Sequence, residues 1–454
     1  MKVVVIGTNH AGTTAVRTIK RIKPEVEVVT FDKSDNISFL GCGIALWVGG
    51  EVEDPNSLFY ANAEILENED IEVNMNHEWL ALDNVSKNVV VRNLITGDTF
   101  EESYDKLIIA TGSWPIISPI PGVELEGIQI CKNYHHAKII EAQNNTGEHK
   151  NIAVIGAGYI GVEIAEAFNK KGHKTTLIDL EDRIMKNYYD KEFTDDVEWR
   201  MKNSGLDLYT GERVVEFIGK DGKVVGIKTD KRTIETDFVV MSVGTKPQTD
   251  LLDNILDLNV NGSIVTDEYC QTSDSDIYAI GDCCEVYNAA SDMEVEIGLA
   301  TTAVRTGILA AINSITNNTM PSPGFTGANG IDVFGMKMAA AGMSAEVARK
   351  VGFEIEEKYF TDNNRPEFMS TVKKVALKVI WDKETRRILG AQVASENNHT
   401  EVMYMFALAI QKGLKIEELP LIDIFFLPHF NKPYNFITLL GLEVLGLNYF
   451  KKND

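Results

Sequence analysis

The chain has 454 residues, 44% of them hydrophobic, and carries a net charge of -23. That length exceeds what one hydrophobic core supports, so two or three domains are expected, and the acidity excludes nucleic acid and anionic membrane surfaces as partners, since both require basic patches. The five cysteines, at 42, 131, 270, 283 and 284, form no secreted disulfide framework, and no apolar run approaches the length of a transmembrane helix, so a cytoplasmic protein is expected.

Residues 2–6 are a β-branched apolar run that leaves no room for a signal peptide. The run ends in Gly7-Thr8-Asn9-His10-Ala11-Gly12, and a helical pattern follows to about Arg21. Strand, glycine-rich turn and helix open a dinucleotide-binding unit. Asn9 stands where the usual G-x-G-x-x-G has its middle glycine, so the turn by itself is a weak signal. Its support is the strand at 26–31 with Asp32 at its end, where a carboxylate can accept hydrogen bonds from an adenosine ribose while the helix N-terminus faces the pyrophosphate. His10 lies inside the turn rather than on a helix face. It is either structural or a group that exchanges protons with an oxidised sulfur and a bound oxygen species.

Ser38-Phe39-Leu40-Gly41-Cys42-Gly43 then places a single thiol between two glycines, where a flat cofactor can approach closely. A helix beginning near Ile44 is expected to favour the thiolate. No second cysteine follows in 43–47, so the stable oxidised forms open to Cys42 are a sulfenic acid or a mixed disulfide with a small thiol. The competing reading is a buried, inert cysteine. The surrounding motifs favour the reactive one.

Residues 71–109 read as an antiparallel excursion, and the buried strand that ends in Ala110-Thr111-Gly112 returns the chain towards the cofactor. Pro115, Pro119 and Pro121 mark a crossover. The second nucleotide unit is complete: residues 151–155 lead into Gly156-Ala157-Gly158-Tyr159-Ile160-Gly161, with an amphipathic helix behind them. The next strand ends in Asp179, which suits the free ribose hydroxyls of NADH and repels the extra phosphate of NADPH; Arg183, four residues on, keeps that preference open. Tyr159 is either plain core or an aromatic cover over a flavin that a nicotinamide displaces. Cys42 needs a redox partner, so the first unit is expected to hold FAD and the second NADH.

A strand near 276–280 ends in Gly281-Asp282, which brings the chain back to the first unit and places Asp282 to bond a ribityl chain. Gly298-Leu299-Ala300-Thr301-Thr302 starts a helix to about Asn313 whose positive end can stabilise an anionic flavin or is an ordinary helix start. Adjacent Cys283 and Cys284 are expected to be structural, and no His or Cys spacing points to a metal. From about 326 the character changes, with a strand at 374–381, a helix across 399–412 and an aromatic cluster over 422–435 that is core or subunit interface.

Taken together, these motifs resemble the water-forming NADH oxidases of bacteria, within the larger flavin family that includes NADH peroxidase and coenzyme A disulfide reductase. The likeness rests on 7–12 with His10, 38–43 with Cys42, 104–107, 156–161, Gly281-Asp282 and 428–435, and spans the whole chain. It implies an α/β fold of two Rossmann-like dinucleotide-binding domains plus a C-terminal α+β dimerisation domain. The expected boundaries are 1–115 and 245–325 for FAD, 116–244 for NADH and 326–454 for dimerisation, in a homodimer or dimer of dimers. Carried over by position, FAD contacts include Gly7, Asn9, His10, Ala11, Gly12, Asp32, Cys42, Ala110, Thr111, Gly112, Ser113, Lys132, Gly281, Asp282, Leu299, Ala300 and Thr301. NADH contacts include Gly156, Gly158, Tyr159, Ile160, Gly161, Asp179, Tyr188 and Gly244, with Gly298 near the nicotinamide. Phe425 and His429 are expected to approach the partner subunit's site.

The implied chemistry passes hydride from NADH to FAD as Tyr159 moves aside, reduces O2 to peroxide at the flavin, and reduces the peroxide at the Cys42 thiolate through a sulfenic acid. Leu40-Gly41 before Cys42 and Trp47-Val48-Gly49 after it look like the oxidases, and the Asn-Cys-Gly-Leu-Pro context of the coenzyme A disulfide reductases is absent. Cys284 departs from the small residue usual there. An NADH peroxidase shares Cys42 and His10 and stays open as an alternative; a thiol-based redox sensor is a further one, which turnover distinguishes.

Overall fold

In the computed structural model, residues 1–147 and 150–447 are described. The first apolar run forms the strand Lys2–Ile6, whose Val3, Val4 and Val5 are fully buried, at the centre of a five-stranded parallel sheet. Its neighbours are Lys106–Ile109, then Ile277–Ala279, on one side and Glu27–Asp32, then Glu72–Met75, on the other. Strands buried on both faces need near-continuous apolar sequence, which these runs supply. The helix His10–Ile22 crosses back over the sheet and packs against the long helix Ala300–Thr316. Gly307 permits that approach, since a Cβ there would stand 2.5 Å from the Ala11 carbonyl oxygen. A three-stranded antiparallel meander over His77–Ser103 is the excursion expected at 71–109, although Glu72–Met75 itself joins the parallel sheet.

The second sheet repeats the plan. Asn151–Ile155 lies between Lys174–Ile178 and Phe238–Met241, with Asp207–Tyr209 and Ile128–Ile130 at the edges, all parallel. The chain passes between the two units twice, and the two passages pair as an antiparallel ribbon, Ser113–Pro115 with Thr245–Pro247. Beside this ribbon, Thr111 Oγ1 donates to the Gln248 carbonyl and Gln248 Nε2 donates to the Thr111 carbonyl, each at 2.8 Å.

The C-terminal part is a five-stranded antiparallel sheet ordered Asn329–Val333, Met336–Gly342, Ile388–Ser395, Lys374–Asp382 and Ile355–Asn363. Helices Val402–Gln411 and Phe436–Val444 pack against it. Towards the second nucleotide unit it presents a buried ammonium: Lys378 Nζ meets Asp190 at 3.2 Å, Glu192 at 3.0 Å and Glu357 at 3.2 Å. A charge that deep is tolerable because it is paired on several sides. One hydrophobic core joins Ile44, Trp47 and Val48, just after Cys42, to Val162 and Phe168 of the second unit and Ile331 and Met338 of the C-terminal sheet. The site lies beside this junction.

Candidate active site

The two turns have the same backbone logic. Gly7 and Gly156 each adopt φ +98°, a left-handed region that side chains rarely occupy. Thr8 donates to Asp32 Oδ2 from its backbone N–H at 2.7 Å and from Oγ1 at 2.9 Å; in the second turn the Ala157 N–H donates to Asp179 Oδ2. Each aspartate thereby closes its turn while keeping lone pairs for a ribose hydroxyl. Burial raises the Asp179 pKa, partly opposed by the N–H groups of Ala157 and Glu181.

No side chain caps the helices that begin at His10, Tyr159 and Ala300, so their first N–H groups stay available. A Cβ built at Gly112 or Gly158 meets nothing within 4 Å. Open space at small-residue turns beneath uncapped helix ends is what the phosphates of a dinucleotide require. The residues present therefore fit FAD in the first unit and NADH in the second.

Behind the first turn, Ser113 Oγ donates to Asp282 Oδ2 at 2.9 Å and accepts from Lys132 Nζ at 3.1 Å, with Lys132 and Asp282 at 3.7 Å. Three predicted residues separated by up to 169 positions thus converge. Gly298 joins them: a Cβ there would lie 3.9 Å from Asp282 Cγ.

Cys42 sits in the single turn Gly41–Gly43 that leads into the helix Ile44–Gly49. Cys42 as a residue is exposed, although its sulfur faces into the protein, whereas Cys131, Cys270, Cys283 and Cys284 are buried. Leu58 packs close behind this turn: a Cβ at Gly43 would stand 2.3 Å from Leu58 Cδ2, so any side chain there would make Leu58 shift. The protein surroundings push the Cys42 thiol up rather than down: burial acts first and the Glu163 carboxylate second, and Lys132 only partly offsets them. The helix after Cys42 is a short one, and the backbone near the sulfur does not outweigh desolvation.

His10 shares this field. Its pKa is lowered, first by burial and then by Lys132, with Asp282 opposing. Its Nδ1 lies 3.0 Å from the Tyr60 hydroxyl and the two rings stack at 5.6 Å, which leaves Nε2 as the nitrogen without that partner. Tyr60 was not signalled by any motif. Glu163 was also missed, although it stands one helical turn after Tyr159 and so shares its face. Burial, with Glu166 adding, raises the Glu163 carboxyl to about 7.

Tyr159 opens the second helix with its ring edge-on to Tyr188, at 4.7 Å between centroids. Its hydroxyl contacts Tyr189 at 2.7 Å and donates to Asn329 Oδ1 of the C-terminal sheet. Cys283 and Cys284 donate to backbone carbonyls of Ile280 and Gly281 at 3.2 and 3.4 Å, a packing role. Phe425 and His429 lie apart, exposed on the C-terminal segment, where Phe425 packs edge-on to Phe430 with Phe426 and Leu427 also exposed. Among the described residues no helix is long and apolar enough to cross a membrane.

Comparison with known proteins accords with this geometry. Residues 1–307 match the family described as pyridine nucleotide-disulphide oxidoreductase, and residues 330–434 match its dimerisation domain. An NADH oxidase of Enterococcus faecalis is 43% identical over 98% of this chain and 99% of its own length. An NADH oxidase of Mycoplasma pneumoniae is 39% identical over 99% of this chain and 98% of its own. The structure of a water-forming NADH oxidase from Lactobacillus brevis bound to NADH has a TM-score of 0.95 at 38% identity, covering 98% of both chains.

Proposed function

Because the chain belongs to the pyridine nucleotide-disulphide oxidoreductase family, we propose that it is an FAD-dependent NADH oxidase that reduces O2 to water by four electrons. Similarity to the NADH oxidase of Enterococcus faecalis and to the water-forming enzyme of Lactobacillus brevis supports this reading. The observation that carries it is Cys42, the one exposed cysteine among five, set between glycines in the electrostatic reach of Asp282 and Lys132, which also act on His10.

FAD held at the first turn by the helix that begins at His10, and by Asp32, Ser113, Lys132 and Asp282, would supply the two-electron redox chemistry that links NADH to O2. The chain's own part begins at Asp179, which receives the adenosine ribose of NADH, and at Tyr159, which covers the cleft until the nicotinamide enters. Peroxide formed from O2 is attacked by Cys42 Sγ: the O–O bond breaks, an S–O bond forms, and the second oxygen leaves as hydroxide that takes a proton to become water. His10, held through Nδ1 by Tyr60, stands to exchange that proton at Nε2. Two electrons from a second NADH and one proton return the sulfenic acid to thiolate and release the second water. In sum, O2, two NADH and two protons give two waters and two NAD+. The protein acts as a homodimer in this reading, with Phe425 and His429, exposed on the C-terminal segment, reaching the partner subunit's site.

The test measures NADH and O2 consumed and hydrogen peroxide accumulated, for the protein and for Cys42→Ser. Two NADH per O2 without peroxide, with the serine variant still oxidising NADH but releasing peroxide, is the expected result. Slow use of O2 with rapid reduction of added peroxide replaces the oxidase with a peroxidase. No turnover with either acceptor removes both and leaves the sensor reading.

A further inference from the structure

The loop that follows the strand Lys174–Ile178 is fastened to the C-terminal part of the chain as well as to its own unit. Asp190 accepts from the Ala345 N–H at 3.1 Å and from Gln392 Nε2 at 2.9 Å, and its own N–H donates to Gln392 Oε1 at 2.8 Å. Arg183 donates to the Tyr189 carbonyl at 3.1 Å and pairs with Glu346 at 2.8 Å. Met185, at φ +47°, ties the loop back to the turn through its N–H on the Ala157 carbonyl at 2.8 Å. Tyr189 is thereby immobilised with no side-chain exposure.

At the end of this fastening stands Asn329, first residue of the strand Asn329–Val333. Its Nδ2 donates to the Gly327 carbonyl at 2.7 Å, which turns Oδ1 towards the tyrosines. Tyr159 donates to Oδ1, and Tyr189 lies 2.7 Å from the Tyr159 hydroxyl and 3.3 Å from the same oxygen. Both hydroxyls thus converge on Asn329 Oδ1, so the Tyr159 ring is held at its tip by a residue of the C-terminal sheet.

We propose that Asn329 is a positioning residue that holds Tyr159 over the cleft, so that the C-terminal sheet sets how readily a nicotinamide enters. This rests on the reading of Tyr159 as the cover. Entry of the ring breaks the Tyr159 bonds, and each such bond is a cost subtracted from binding. Truncating Asn329 removes the cost only while the Tyr159 hydroxyl is present.

The test uses the oxidised holoenzyme and NAD+, which binds without reducing it. The dissociation constant is measured by calorimetry, and entry of the ring is read from the flavin difference spectrum. Asn329→Ala is expected to tighten NAD+ by about threefold to tenfold, the scale of one hydrogen bond. In a Tyr159→Phe background it is expected to change nothing further. Tyr189→Phe, which leaves the sheet untouched, serves if the first variant loses FAD, and should shift binding in the same direction. An unchanged dissociation constant, or an equal shift with and without the Tyr159 hydroxyl, overturns the proposal. A wild-type holoenzyme that binds NAD+ with these couplings but is never reduced by NADH sinks the proposed function and leaves the grip standing.

Discussion

The two dinucleotide turns differ at their middle position and agree everywhere the backbone constrains them. A Cβ at Gly7 would lie 2.3 Å from the Ala110 carbonyl oxygen, and one at Gly156 would lie 2.3 Å from that of Ser242. A Cβ at Gly12 or Gly161 would meet the oxygen of Gly7 or Gly156 at 1.8 or 1.7 Å. At the middle, Gly158 has φ -73° with nothing within 4 Å, and Asn9 has φ -86°. A negative φ of this size is open to any residue. The outer glycines are therefore demanded by the fold, and the middle one only by what binds there.

The largest effect should come from breaking the shared part. Gly161→Ala forces a methyl into a backbone oxygen that has no flexible side chain to yield, so strand and helix must separate. We expect loss of soluble protein or destabilisation above about 3 kcal/mol, measured by yield and by denaturant unfolding. Gly158→Ala, three residues earlier, should leave stability within about 0.5 kcal/mol and act on NADH affinity instead. Equal damage from both would remove the distinction between fold glycines and ligand glycines.

A second difference lies one helical turn behind each fingerprint, where the first helix carries Thr14 and the second Glu163. Glu163 is raised to about 7 by burial, above an ordinary glutamate. As pH rises from the ordinary value to about 7, the unfolded chain sheds this proton while the folded chain keeps it, so stability falls across that window and is level above it. Glu163→Gln should thus stabilise the protein at pH 8 by about 1–3 kcal/mol and lose that advantage towards pH 4. Urea unfolding of both proteins at the two pH values checks it. A gain that is the same at both would mean that packing, not charge, is responsible.

Both nucleotide units were legible in the sequence because their signals are local: a β-branched run, a glycine turn and an acidic strand end lie within about thirty residues. The setting of Cys42, an exposed cysteine between two glycines, is equally local. Asp282 was legible at the end of its strand, but its convergence with Lys132 and Ser113 was not, since that depends on two returns of the chain, and those two residues entered only through resemblance. Tyr60, Tyr189 and Asn329 carry no spacing rule at all; their hydroxyl and amide groups matter because distant elements bring them to His10 and Tyr159. The direction of the Cys42 shift is not legible locally: the helix start favours the thiolate, whereas burial and the Glu163 carboxylate, which only the fold supplies, oppose it.

The smallest effect should come from making the two turns alike at the middle. Asn9 occupies the N-cap position of its helix, yet its side chain makes no capping hydrogen bond, so Asn9→Gly removes no cap. Glycine adds backbone freedom to the unfolded chain, a loss of about 0.4–1 kcal/mol. The fold has no other reason to object. Flavin affinity should stay within about threefold, because the pyrophosphate is held by N–H groups and helix ends that both residues provide, as equilibrium dialysis of FAD from the two proteins would measure. A loss of flavin well beyond that would show the Asn9 side chain to be a contact of the cofactor in its own right. The first turn would then differ from the second in how it holds its ligand, and the missing glycine would be a replacement rather than a tolerated change.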